Sequence, residues 1–135
     1  MTVLQVHVKE MKPHEWIGSC GNNQIMIRQQ EDSSGSASLN RPFDLWMMSL
    51  AFAVAESIRS YTTEKAWDLQ SLQVDAVDEV SDQGKLLYVT FHITAAGLQK
   101  EERDEVFSAV RTTCTLLRLV NKDIEMYFAD RLADL

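Results

Sequence analysis

Residues 45–55 read LWMMSLAFAVA, eleven positions between Asp44 and Glu56 in which Ser49 is the only polar side chain. No helical or strand period runs through them, and a segment apolar all round has to be surrounded by protein. Pro42 suits a first helical turn, and Met, Leu and Ala favour helix over strand. The stretch therefore predicts one long helix from Pro42 to about Lys65, its first half buried on every side. In a chain of 135 residues such a helix needs either a sheet wrapped about it or a second subunit covering it.

Upstream of the helix, Val3, Gln5, His7 and Lys9 alternate with Leu4, Val6 and Val8, the period of two that marks a strand. Trp16 to Cys20 reads as a second strand and Gly21-Asn22-Asn23 as hairpin-turn chemistry. Gln24 to Gln29, with Ile25 and Ile27 on one face, is the return. A three-stranded antiparallel sheet is expected there. Glu31 to Asn40, EDSSGSASLN, is the one low-complexity stretch and reads as a solvated loop.

Downstream, Leu72 to Val80 and Leu86 to Ala95 flank Ser81–Lys85, a second hairpin in which Gly84 can take a positive φ. In its return strand Leu87, Val89, Phe91 and Ile93 face one way and Tyr88, Thr90, His92 and Thr94 the other. Acids crowd Lys100 to Asp104 as in a helix first turn, and Val106, Val110, Thr113 or Cys114, and Leu117 recur at helical spacing. A second helix is expected from about Lys100 to Leu119, with a break near Thr112–Thr115. Asp123 to Phe128 reads as a last strand and Ala129 to Leu135 as an acidic tail. The order of elements predicts an α+β chain without internal repeats.

The length fits one domain, residues 1–135, with enough buried surface for a real core. A net charge of -7 with scattered Lys and Arg argues against nucleic acid as a partner. The longest apolar run is eleven residues, where a membrane span needs about twenty. MTVLQVHVKE has neither a basic lead nor an apolar h-region, so a cytoplasmic location is expected.

His7, His14 and His92 show no ligand spacing and no nearby cysteine, so no metal or other cofactor is expected. GxSxG, P-loop and GxGxxG patterns are missing. Asp75 and Asp78, three apart on a strand, fall on opposite faces. Cys20 and Cys114 lie too far apart for a CxxC motif, although they could still meet in space. Cys114 sits among threonines on the second helix, with Arg111 and Arg118 about one turn away. A small buried core cysteine is its plain reading and a reactive thiol its sharp one. Cys20 ends a strand beside a glycine turn, where a partly exposed thiol fits.

Order and motifs together resemble the OsmC/Ohr superfamily of bacterial stress-induced thiol peroxidases, over nearly the whole chain. Pro42-Phe43-Asp44-Leu45 is similar to the family's Asn-Pro-Glu-x-Leu opening of the central helix, and MSLAFAVAESIR, Met48 to Arg59, resembles its AALASCxAMTLR run. Leu98 to Arg103 leads into the second helix as in the family, and Cys114 precedes Ile124 of the closing strand by ten residues, as the family's second cysteine does.

The resemblance implies antiparallel sheets packed around a long central helix in an intertwined homodimer. It also implies a peroxidatic cysteine on that helix, resolved by a second cysteine on the later one. Here Ala53 stands at the peroxidatic position, Thr115 replaces the usual Pro after Cys114, and Phe43 replaces a Glu that orients an arginine, with Asp44 one residue late. Where the family's arginine would stand, this chain has Glu15 and Trp16. A register shift of one puts Phe52 or Val54 at the peroxidatic position, still without a thiol.

The first expectation is therefore an OsmC-like homodimer in oxidative-stress handling that is not an active peroxidase, its degenerate site at Phe43, Asp44, Phe52 and Ala53 filled or holding a small apolar ligand. The second is a thiol-dependent peroxidase or redox protein acting on a hydroperoxide, with Cys114 as sole nucleophile or with Cys20 recruited as its partner. The third is an interaction module using Asp130 to Leu135 or Glu31 to Asn40, whose plain reading is solvated surface.

Overall fold

The computed structural model describes residues 5–28 and 41–133, so the expected loop at Glu31–Asn40 and the last two tail residues lie outside the described part. The chain falls into two compact units, Met1–Trp46 and Met47–Leu135. The boundary lies inside the long helix.

The first unit holds β1 (Val6–Lys12), β2 (Glu15–Cys20) and β3 (Asn23–Arg28), an antiparallel sheet in the order β1-β2-β3. Pro13 and His14 make the first turn, His14 at φ 65°, and a bulge at Met11 sets the strand ahead of it. Gly21 and Asn22 make the second, a two-residue turn with Gly21 at φ 59°, and Cys20 pairs with Asn23 across it.

The long helix is α1 (Pro42–Glu64), 23 residues. Its buried residues are Leu50, Val54, Ile58 and Thr62, one stripe at four-residue spacing. Met48 and Phe52 are exposed, Phe52 at 67%. Burial on every side, expected from the apolar run, is thus not what a single chain provides, because its core takes up only one face of the helix. The helix closes in a left-handed cap: Ala66 has φ 58°, its amide donates to Thr63 O, and the Trp67 amide donates to Thr62 O at 2.9 Å.

Beyond α1, β4 (Ser71–Val80) and β5 (Leu86–Ala96) form a long antiparallel hairpin, with Gly84 at φ 81° in its turn. Val89, Phe91, Ile93 and Ala95 are fully buried on one face of β5, and Leu87 at the strand's start is exposed. Then come α2 (Lys100–Thr113), α3 (Thr115–Arg118) and β6 (Glu125–Asp130). The expected all-antiparallel arrangement fails here. β6 pairs parallel to β5, because the intervening chain crosses over through α2 and returns to the same end of the sheet.

β6 also begins and ends two residues later than the sequence suggests, so Ala129 and Asp130 belong to the sheet and not to a tail. Phe128 joins the layers, with ring centroids 5.5 Å from Phe91 and 6.4 Å from Phe107 of α2. Val106 and Val110 of α2 complete this core. Arg103 of α2 donates through Nε to Asp130 Oδ2 at 2.7 Å and through a terminal nitrogen to Leu98 O at 2.9 Å. Asp130 is therefore an internal strut, not an interaction tail.

Candidate functional site

The register of the first sheet decides what its two faces carry. Val6, Cys20 and Asn23 stand in one row, Val8, Gly18 and Ile25 in the next, and Glu10, Trp16 and Ile27 in the third, all on one face. The alternate residues, among them His7, Lys9, Ile17 and Met26, take the other. Gly18 in the centre lacks a side chain, and the surrounding apolar groups enclose a hollow of about 210 Å³ over it, with Leu45 of α1 in its wall. Trp16, Ile25 and Val8 remain partly exposed around this hollow.

Cys20 lines the same hollow and is half-buried. Its face of the sheet holds no cation among the described residues. The sheet's cations, Lys9, Lys12 and Arg28, belong to the opposite face, where Arg28 pairs with Glu15 at 3.0 Å directly across the strands. The groups around Cys20 in the hollow are mostly apolar, with Ser19 and Asn23 beside them.

Of the pocket expected at Phe43, Asp44, Phe52 and Ala53, the first two sit in the first turn of α1. Phe43 stacks on Trp46 with centroids 5.5 Å apart, and the Arg41 guanidinium lies 5.4 Å from the Phe43 ring. Asp44 accepts from Arg41 at 2.7 Å. Phe52 and Ala53 follow nine positions later, about two and a half turns, which puts each on the opposite side of the helix from its earlier partner. The helix therefore does not carry these four side chains on one face.

Cys114 sits where the helical residues break. It closes α2, its amide donating to Val110 O at 2.9 Å, and it opens α3 with extended φ/ψ of -63° and 116°. The break was legible in the threonine cluster: the Thr112 and Thr113 hydroxyls both donate back to Ala109 O, competing with the backbone for the last helical turn. The cysteine itself is 3% exposed, among Val110 and Leu117. It has the surroundings of a core residue. Cys20 and Cys114 are both free thiols.

Asp75 and Asp78 are split as expected, Asp75 opposite His92 and Asp78 opposite Val89, and Asp75 pairs with Arg131 at 3.1 Å. Among the described residues no three His, Cys, Asp or Glu side chains gather as metal ligands, and no helix is long and apolar enough to cross a membrane.

Sequence reasoning missed the hollow of the first sheet. Its signal is present in the sequence: Val6 and Val8 share one face of their strand, and Ile25 and Ile27 one face of theirs. Pairing the three strands through the Gly21-Asn22 turn superposes those faces.

No protein-family model matches this sequence, and no curated protein matches it. Solved structures do match. The OsmC-like protein of Mycoplasma pneumoniae aligns with a TM-score of 0.80 at 12% identity, over 96% of each chain. The organic hydroperoxide resistance protein OsmC of Legionella pneumophila aligns at 0.73 and 12% identity, over 96% of this chain and 97% of its own. OhrB of Bacillus subtilis, an organic hydroperoxide resistance protein, aligns at 0.70 and 12%, over 96% and 98%. Two small sheets, a long helix between them in sequence and a later helix pair are common ground at identities this low, and the chain has the OsmC/Ohr fold.

Proposed function

We propose that this chain is a homodimeric protein of oxidative-stress handling that binds a small apolar molecule and does not perform the thiol peroxidase reaction. The observation that carries this reading is the hollow over Gly18, walled by Val6, Val8, Trp16, Ile25 and Ile27, on a sheet face without a cation. An apolar concavity with few polar groups is the ordinary form of a small-molecule site. The stress-related role is supported by fold alone, through neighbours that are organic hydroperoxide resistance proteins.

Peroxide reduction by a thiol forms an S–O bond as the O–O bond breaks, releasing an alcohol and leaving a sulfenic acid. It needs an accessible, charge-stabilised thiolate. No residue of α1 is a cysteine, with Ala53 at the position that resembles the peroxidatic one, and Cys114 is buried. The dimer is supported by Met48 and Phe52, apolar and exposed on a helix whose other face is core.

Consumption of an organic hydroperoxide such as cumene hydroperoxide, with a dithiol reductant, tests the reading beside Cys20→Ser and Cys114→Ser. The expected result is no turnover above the reductant alone. A second reading, thiol chemistry at Cys20, is favoured by one observation, the placement of that thiol in the hollow. Turnover abolished by Cys20→Ser would establish it and overturn the first.

A further inference from the structure

A second concavity lies in the other unit, where α3 ends and the chain turns into β6. It measures about 450 Å³, and Leu117, Val120, Ile124 and Met126 supply its apolar part while Arg118 and Lys122 supply two cations. Neither cation forms an ion pair among the described residues, although acids outnumber bases in this chain by 20 to 13. Two cations without an ion-pair partner thus line one hollow of an acidic protein.

The backbone agrees. Three carbonyls of this segment are occupied: Cys114 O, Leu116 O and Leu117 O accept from the amides of Arg118, Leu119 and Val120. The next two amides, Asn121 and Lys122, donate to no protein acceptor among the described residues. Successive free amides beside cations form an anion-binding concavity. The nearby acids are engaged or outside it: Glu125 accepts from the Tyr127 hydroxyl, and neither Asp123 nor Glu125 lines the hollow.

We infer that the hollow between α3 and β6 binds a free aliphatic carboxylate, its head group on Arg118, Lys122 and the Asn121 and Lys122 amides, and its chain along Val120, Ile124 and Met126. An inorganic anion would leave the apolar part unused, and a neutral hydrocarbon would leave the cations and amides unpaired. This site is independent of the hollow in the first sheet.

Methyl NMR of the full chain, titrated with hexanoate, hexan-1-ol and acetate, tests the proposal. Hexanoate is expected to shift the Ile124 and Met126 methyl signals. Arg118→Gln or Lys122→Gln, both at exposed positions, is expected to weaken it about tenfold or more, the loss that accompanies a charge-assisted hydrogen bond. Hexan-1-ol and acetate are each expected to bind about tenfold more weakly, for the same reason at one end of the molecule and for lost apolar contact at the other. Equal binding of hexan-1-ol, unchanged affinity in both variants, or shifts at Ile25 and Ile27 instead would overturn the assignment. So would sedimentation with phosphatidylglycerol vesicles in the absence of hexanoate binding, which would assign the cations to a lipid surface.

Discussion

Arg103 on α2 and Asp130 at the end of β6 form an ion pair at 2.7 Å with both side chains about nine-tenths buried, 10% and 11% exposed. Each partner has a second engagement: Arg103 donates to Leu98 O, and Asp130 Oδ1 accepts from the Leu132 amide at 3.0 Å. The pair fastens the crossover helix to the parallel strand that the crossover creates.

Removing one partner strands the other charge in the interior, which costs about 3–5 kcal/mol. Asp130→Asn and Arg103→Met are each expected to lower the urea midpoint accordingly. The double replacement Arg103→Met with Asp130→Leu is expected to recover most of the loss, because it removes both desolvation penalties. Additive losses in the double variant would show that the two residues act separately.

The Tyr61 hydroxyl donates to Glu105 Oε2 at 2.6 Å, with Lys65 3.5 Å from the same carboxylate. The tyrosine's hydrogen bond holds the Glu105 carboxyl below its ordinary range, and the carboxylate's acceptance raises the Tyr61 phenol above its own. A depressed carboxyl contributes stability above its unfolded pKa that is lost as pH falls through the folded value. A raised phenol contributes stability below its unfolded pKa that is lost as pH rises through the folded one. The clasp between α1 and α2 therefore acts in the window between the two. Tyr61→Phe is expected to destabilise at neutral pH and to match the parent at both extremes, as read from denaturation midpoints across pH. An effect independent of pH would remove the hydrogen bond as its cause.

Two left-handed positions predict substitutions of opposite sign. Ala66 caps α1 at φ 58°, a conformation that costs an L-residue about 1–2 kcal/mol, so Ala66→Gly is expected to raise stability by up to about 1 kcal/mol after the entropy of the unfolded glycine is deducted. Gly97 at φ 100° has no such freedom to change. A Cβ there would stand 2.3 Å from Asp68 O, so Gly97→Ala is expected to lose about 2 kcal/mol or more. Thermal denaturation of the two variants beside the parent checks both signs.

Most of the architecture was legible because it depends on local pattern. Alternation through Val6 and Val8, the turn residues Gly21 and Gly84, and the spacing of Val106 and Val110 each fix an element without reference to the rest of the chain. What failed to be legible depends on pairing over distance. The parallel docking of β6, with Phe91 opposite Phe128, and the recruitment of Asp130 by Arg103 both bring together residues more than 25 positions apart. The candidate site divided in the same way. Cys114 carried its own signal in the threonines before it, whereas the hollow over Gly18 exists only once three strands are in register.

The two thiols are expected to differ in access. Cys20 is half-buried in an open hollow and Cys114 lies in the core, so iodoacetamide in native buffer is expected to modify Cys20 alone. Peptide mass spectrometry after native and denatured labelling separates the two. Native modification of Cys114 would show that the α2–α3 break opens in solution, and it would return that cysteine to consideration as a reactive group.

Phe52 offers the direct test of self-association. It is 67% exposed on the face of α1 opposite Leu50 and Val54, and Met48 stands one turn before it. Two apolar side chains so placed would lose a large part of their contact with water on meeting a second copy, each fully covered side chain contributing about 1.5–3 kcal/mol. A two-fold arrangement presents each copy's Met48 and Phe52 to the other, so one substitution acts twice. Phe52→Glu is therefore expected to convert a dimer to a monomer in sedimentation velocity at micromolar concentration, with far-UV circular dichroism unchanged because the buried stripe at Leu50, Val54 and Ile58 is untouched. A parent protein already monomeric at that concentration would remove the dimer from the proposed function while leaving the fold of the single chain as described.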